Sequence, residues 1–97
     1  MLPVIVHPAA DAEIKAASTY YEALQPGLGT AFLREVARGF SQIQNRSTAW
    51  AVLFGDFRRF LLRRFPYGIV YRVEADCIFV LAVMHLRRQP QYWLARN

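Results

Sequence analysis

Apolar residues recur along the first half of the chain at spacings of three and four positions, which is typical of amphipathic helices. The first apolar stripe comprises Ile14, Ala17, Tyr21 and Leu24. The second comprises Phe32, Val36, Phe40 and Ile43. Pro8 suits the first position of a helix, and Pro26-Gly27 ends that helix because proline cannot continue the hydrogen-bond ladder. The short connection predicts an antiparallel helical hairpin, with Gly29 or Thr30 capping the second helix.

Short runs of β-branched and aromatic residues predict strands on either side of this hairpin. The predicted strands are Val4–Val6, 57–65, Tyr67–Val73 and 77–85. Residues 49–54 are apolar and fit either a further short strand or a buried connector. Residues 77–84 are all apolar, which indicates a central strand buried on both faces. This run is too short to cross a membrane, because a helical span needs about 20 residues.

A tight turn at Glu74–Asp76 sets the expected pairing of the last two strands. With Ala75-Asp76 as the two-residue loop, Arg72 lies opposite Phe79, Val70 opposite Leu81 and Gly68 opposite Val83. The residues then expected to face the helices are Tyr67, Ile69, Tyr71, Val73, Ile78, Val80, Ala82 and Met84. Those expected on the open side are Gly68, Val70, Arg72, Phe79, Leu81, Val83 and His85. The alternation therefore predicts that Arg72 and His85 share the open face.

These elements predict a single α+β domain over residues 1–97. Its helical hairpin packs on one face of a twisted antiparallel sheet of about four strands, and a short helical turn begins near Pro90. The length suits one modest core, and a hydrophobic content of 55% is too high for a disordered chain.

The charge distribution adds a candidate function. The net formal charge is +5, and eleven of the twelve basic residues are arginine. Residues 57–97 carry eight basic and two acidic residues, whereas residues 1–56 carry four basic and five acidic. The second part contains three arginine pairs: Arg58-Arg59, Arg63-Arg64 and Arg87-Arg88. Because a guanidinium group binds carboxylates and phosphates with two prongs, the pairs favour an anionic partner over a merely solvated surface.

Other classes of site have no sequence signal. The chain has no paired-carboxylate, Gly-rich phosphate-loop, metal-ligand or nucleophile motif, so we expect no cofactor and no metal. The single cysteine, Cys77, cannot form an internal disulfide, which fits a reducing compartment. The first residues lack the basic region and long apolar stretch of a secretion signal. We therefore expect a cytoplasmic protein with no membrane partner.

Histidine, arginine and tyrosine side chains remain as candidates for chemistry. Histidine exchanges protons near neutral pH, arginine stabilises developing negative charge, and tyrosine acts as an acid or stacks on a base. A set that could cleave RNA without a metal comprises Arg72, His85, Arg88 and Tyr92. The alternative is that His85 caps a strand end while arginines bind a carboxylate-rich partner. The residues predicted to bind a partner are Arg58, Arg59, Arg63, Arg64, Arg87 and Trp93. Trp93 and Tyr92 equally fit an anchor for the C-terminal segment.

Four segments together form a more specific pattern. They are Tyr20-Tyr21-Glu22, Pro26-Gly27-Leu28-Gly29, Arg64-Phe65-Pro66-Tyr67-Gly68-Ile69-Val70-Tyr71-Arg72-Val73-Glu74 and His85-Leu86-Arg87-Arg88-Gln89-Pro90-Gln91-Tyr92-Trp93. This pattern resembles the RelE/ParE superfamily of toxins from bacterial type II toxin–antitoxin systems. The resemblance covers nearly the whole chain and implies a short strand, a helical hairpin and an antiparallel sheet.

The resemblance also implies partners. An antitoxin wraps such a toxin, often as two toxins on an antitoxin dimer that represses its own operon, so a heterotetramer or larger assembly is expected. We expect its contacting segment to be acidic and partly apolar, and to lie across the sheet and helices.

The superfamily has two target classes. ParE-like members inhibit DNA gyrase, whereas RelE-like members cleave messenger RNA on the ribosome. RelE-like ribonucleases usually carry an arginine just before the apolar part of the third strand, where this chain has Gly68. The ending His85-x-Arg87-Arg88-x-Pro90 also resembles the ParE branch, which favours gyrase inhibition without enzymatic activity. Ribosome-dependent mRNA cleavage is the first alternative, and a relic that binds only its antitoxin is the second.

Overall fold

A computed structural model describes residues 1–96. This part of the chain forms two α-helices, five β-strands and a C-terminal 3₁₀ helix. In chain order they are β1 (Val4–Val6), α1 (Pro8–Leu24), α2 (Leu28–Asn45), β2 (Val52–Phe54), β3 (Phe57–Leu61), β4 (Tyr67–Val73), β5 (Ile78–His85) and the 3₁₀ helix (Tyr92–Arg96). The predicted α+β class and helical hairpin are confirmed. Neither helix in residues 1–96 is long and apolar enough to cross a membrane.

The strands form one mixed sheet. Within residues 1–96 its order is β1-β5-β4-β3-β2. β1 pairs in parallel with β5, because the helical hairpin and three strands intervene before the chain returns beside it. The remaining pairs are antiparallel. The sheet thus exceeds the predicted four strands, since residues 49–54 contribute β2 at one edge.

Local capping explains where both helices begin. His7 precedes α1, and its Nδ1 atom accepts a hydrogen bond from the Ala9 amide at 3.0 Å. Gly27, with a φ of 89°, caps α2, so the prediction of Gly29 or Thr30 as the cap is wrong. The left-handed backbone suits glycine and starts the helix earlier. The carboxylate of Glu22 accepts hydrogen bonds from the amides of Gly27 and Gly29, which ties the two helices together.

The pairing of β4 with β5 contains an irregularity that the sequence did not predict. Arg72 lies opposite Phe79, as expected. Val70, however, lies opposite Ala82 rather than Leu81, because the register shifts by one residue between Val70 and Tyr71. Leu81 is therefore an extra residue in β5, as in a β-bulge.

The shift exchanges the two faces of β5 beyond Leu81. Val83 belongs to the core beneath the helices, whereas Ala82 and Met84 belong to a second core on the opposite face. His85 consequently lies on the helical side, so its predicted place on the open face beside Arg72 is wrong. The opposite face is not open either, because Trp93 of the 3₁₀ helix packs on it.

Candidate interaction site at one end of the sheet

Five arginines gather where β3 and β5 end and β4 begins. The amide of Leu86 donates to the carbonyl of Pro66 at 2.9 Å, which brings the β3–β4 loop beside the segment that follows β5. We call this set the basic end; it comprises Arg59, Arg63, Arg64, Arg87 and Arg88. The antiparallel topology thus converts separate sequence pairs into one surface.

Most of the guanidinium groups at the basic end lack an internal counterion. In the described part of the chain, Arg59, Arg63, Arg64 and Arg87 form no ion pair. Arg64 lies over the ring of Phe65, 5.5 Å from its centroid, while the side chains of Arg63, Arg64 and Arg87 are exposed. Their charge is therefore available to an anionic partner.

Gly68 explains how Arg59 is placed on this surface. A Cβ atom at residue 68 would lie 2.9 Å from both Cγ and Cδ of Arg59, closer than van der Waals contact allows. The missing side chain lets the stem of Arg59 lie flat across β4. The position where RelE-like ribonucleases are expected to carry an arginine is thus filled by an arginine from the neighbouring strand.

A buried carboxylate on α1 holds the chain that follows β5. Glu13 accepts hydrogen bonds from the Val83 amide at 3.0 Å, the Tyr92 hydroxyl at 2.6 Å and the Arg96 guanidinium at 2.9 Å. Arg88 approaches the same carboxylate at 3.4 Å. Burial and the hydrogen bond to Glu13 raise the pKa of the Tyr92 phenol above its usual value near 10. The hydrogen bond to Glu13 likewise raises the pKa of Arg96.

Sequence reasoning missed the roles of Glu13 and Arg96. Glu13 was interpreted as a charge that complements the helix dipole. Its position between the buried residues Ala10 and Ala17, at spacings of three and four, was the available signal. A carboxylate on a buried stripe needs partners, because an unpaired buried charge is costly.

A cleft of about 220 Å³ lies beside Glu13. It is lined by Tyr67, His85, Arg88 and Tyr92, among others. The Nδ1 atom of His85 accepts a hydrogen bond from the Arg87 amide at 3.1 Å, and Arg88 stacks over the Tyr92 ring at 3.8 Å. Three of the four residues proposed for RNA cleavage therefore share one cleft.

Arg72 does not join them. It lies on the opposite face of the sheet, over the rings of Phe57 and Phe79, and its Nε donates to Glu74 at 2.9 Å. This hydrogen bond lowers the pKa of Glu74. The predicted group of Arg72 with His85 is thus separated, because the shift at Leu81 turned His85 to the helical side.

Two residues predicted to bind a partner have internal contacts instead. Arg58 donates to the backbone carbonyls of Thr48 and Trp50, at 3.1 and 2.7 Å, and so fixes the loop before β2. Trp93 is fully buried, with its ring 4.8 Å from that of Phe57. Trp93 is therefore the anchor of the C-terminal segment, which was the other interpretation of its sequence position.

Comparisons with known proteins add a family match. A family model described as the ParE toxin of type II toxin–antitoxin systems, parDE, matches residues 4–90. Among solved structures, the chain is similar to one described as the chromosomal ParDE TA system from P. aeruginosa. The TM-score is 0.77 with 19% identity, over 88% of this chain and 96% of that chain. No curated protein sequence matches significantly. At this identity the structural likeness establishes the fold alone.

Proposed function

Because the chain belongs to the ParE toxin family of type II toxin–antitoxin systems, we propose that it inhibits DNA gyrase by binding it through the basic end. The observation that carries this proposal is the set of guanidinium groups at the basic end that no internal carboxylate neutralises. A rigid cationic surface of this kind attracts an acidic protein surface and speeds association. Binding, rather than bond cleavage, is the activity that these groups support.

Ribosome-dependent RNA cleavage is the second candidate, since His85, Arg88 and Tyr92 line one cleft. Two contacts speak against it. The Tyr92 hydroxyl donates to Glu13, and its raised pKa makes it a weaker acid. Arg72 is held by Glu74 on the other face of the sheet. A site that depends on proton transfer needs its acid and base within reach of the same phosphate.

Membership of a toxin–antitoxin family entails an antitoxin partner. We propose that the antitoxin segment contacting this toxin is acidic and partly apolar, because the basic end is cationic and its neighbouring strands expose apolar side chains. Leu61 and Leu86 are 50% and 41% exposed there. Such a segment would fold on binding, and two toxins on an antitoxin dimer would form the heterotetramer.

Induction of the toxin alone in cells separates the candidate functions. Gyrase inhibition predicts filamentous cells, DNA-damage signalling and loss of plasmid supercoiling, all suppressed when the antitoxin is co-expressed. A ribonuclease would stop translation at once and leave cleaved transcripts. It would lose about 100-fold or more of its cleavage rate in His85→Ala or Arg88→Ala variants. A relic would produce neither phenotype.

A further inference from the structure

A small recess lies on the sheet face opposite the helices, between the end of β5 and the segment that follows it. Its volume is about 90 Å³. Its apolar wall is formed by Leu53, Met84, Leu86 and Pro90, and its basic wall by Arg59 and Arg88. The residues lining this recess include no acidic side chain. It is separate from the cleft beside Glu13, because Leu53, Met84 and Arg59 all lie on the other face.

Arg59 is the part of the recess with no internal explanation. Its guanidinium group forms no hydrogen bond or ion pair with any residue from 1 to 96. Its stem is nevertheless held in one place by contact with Gly68. An arginine that is partly buried, positioned and unneutralised favours a carboxylate from outside the chain.

We infer that this recess receives one apolar side chain of the antitoxin, and that a carboxylate next to it in the antitoxin binds Arg59. The inference rests on the proposed function, since it assigns one contact to the antitoxin that such a toxin requires. The volume suits a side chain of about the size of leucine rather than an aromatic ring. The apolar wall excludes water from the pair, which strengthens the charge-assisted hydrogen bond.

Purified toxin variants and the full-length antitoxin of the same operon test this inference by calorimetry. Arg59→Gln removes the charge, and Leu86→Gln makes the recess polar without changing the charge. Each should weaken antitoxin binding by about tenfold or more. The matched controls are Arg34→Gln, an exposed arginine on α2, and Leu33→Gln, whose exposure of 43% is close to the 41% of Leu86. Both controls should bind within about twofold of the wild type.

Hydrogen exchange on the unmodified toxin provides a readout that does not depend on how the variants fold. Antitoxin binding should protect the amides of residues 84–91. Wild-type affinity in both Arg59→Gln and Leu86→Gln would overturn the inference, as would unchanged exchange in residues 84–91. If these variants bound antitoxin normally but no longer inhibited gyrase, the recess would belong to the target and the inference would be wrong. Failure of the wild type to affect gyrase would instead contradict the proposed function, while leaving the antitoxin measurement interpretable.

Discussion

The hydroxyl of Tyr92 donates a 2.6 Å hydrogen bond to the carboxylate of Glu13, which lies 79 positions earlier in the chain. This contact joins α1 to the C-terminal 3₁₀ helix and brings Arg88 and Arg96 to the same carboxylate. The segment that carries part of the basic end is therefore positioned by the first helix. Stability and presentation of the binding surface are linked through Glu13.

Replacing Glu13 by glutamine should destabilise the fold substantially. The variant keeps the shape of the side chain but loses the charge that pairs with Arg96, leaving a partly buried guanidinium with a weaker partner. We expect a loss of about 2–3 kcal/mol in the free energy of unfolding, measured by urea denaturation. Asp11→Asn is the control, because the Asp11–Lys15 ion pair is exposed and should contribute less than about 0.5 kcal/mol. Equal losses in the two variants would show that the Glu13 contacts contribute little.

Alkaline pH should destabilise the protein through its buried tyrosines. Burial raises the pKa of Tyr71 to about 12, and its hydroxyl donates to the Ser47 carbonyl at 2.7 Å. An unfolded tyrosine ionises near pH 10. Between about pH 10 and 12 the unfolded chain therefore binds fewer protons than the folded one, and the free energy of unfolding falls. Tyr92, whose pKa is also raised, adds to this fall.

Urea denaturation at pH 9 and pH 11.5 measures this effect. Tyr71→Phe should reduce the difference in the free energy of unfolding between the two pH values, because one of the responsible groups is gone. An identical difference in the variant and the wild type would mean that Tyr71 ionises equally well in the folded protein.

The helix and strand boundaries were largely predictable, because short-range signals determine them. Pro8 begins α1, and β4 spans Tyr67–Val73 as expected. The extra residue Leu81 was not predictable, because an uninterrupted apolar run has no alternation that would reveal a change of face.

The candidate site was predictable only in part. The arginine pairs indicated a basic surface, and two of its members, Arg63 and Arg64, lie in a loop whose neighbours follow from strand order. The contacts of Glu13 span 70 to 83 positions and depend on the complete fold. The place of Arg72 relative to His85 depended on the shift at Leu81, and for that reason it was predicted wrongly.

Trp93 should contribute to stability rather than to partner binding. Its ring is fully buried, so Trp93→Ala should cost about 3–5 kcal/mol. Trp93→Phe should cost less, because the Nε1 atom has no hydrogen-bond partner within residues 1–96. Thermal unfolding measures both, and Tyr20→Ala serves as an exposed aromatic control, expected within about 0.5 kcal/mol of the wild type. If Trp93→Ala unfolded like the control yet bound antitoxin weakly, Trp93 would be an interface residue after all.

The exposed arginines of the β3–β4 loop should govern association with gyrase. The double variant Arg63→Gln/Arg64→Gln removes two unpaired charges from the basic end without removing a buried contact. We expect its association rate constant to fall about tenfold at low ionic strength and to depend less on salt. The control is Arg34→Gln/Arg46→Gln, which makes the same charge change on α2 and just after it. Surface plasmon resonance on immobilised gyrase distinguishes them, and equal effects would point to net charge rather than to the basic end.

The most direct measurement of the central claim compares two purified reactions. Toxin is added to gyrase with relaxed plasmid, and separately to ribosomes translating a defined messenger RNA. We predict that the toxin inhibits supercoiling, that added antitoxin restores it, and that the messenger RNA stays intact. Unimpaired supercoiling together with cleaved messenger RNA, lost in the His85→Ala variant, would contradict the account.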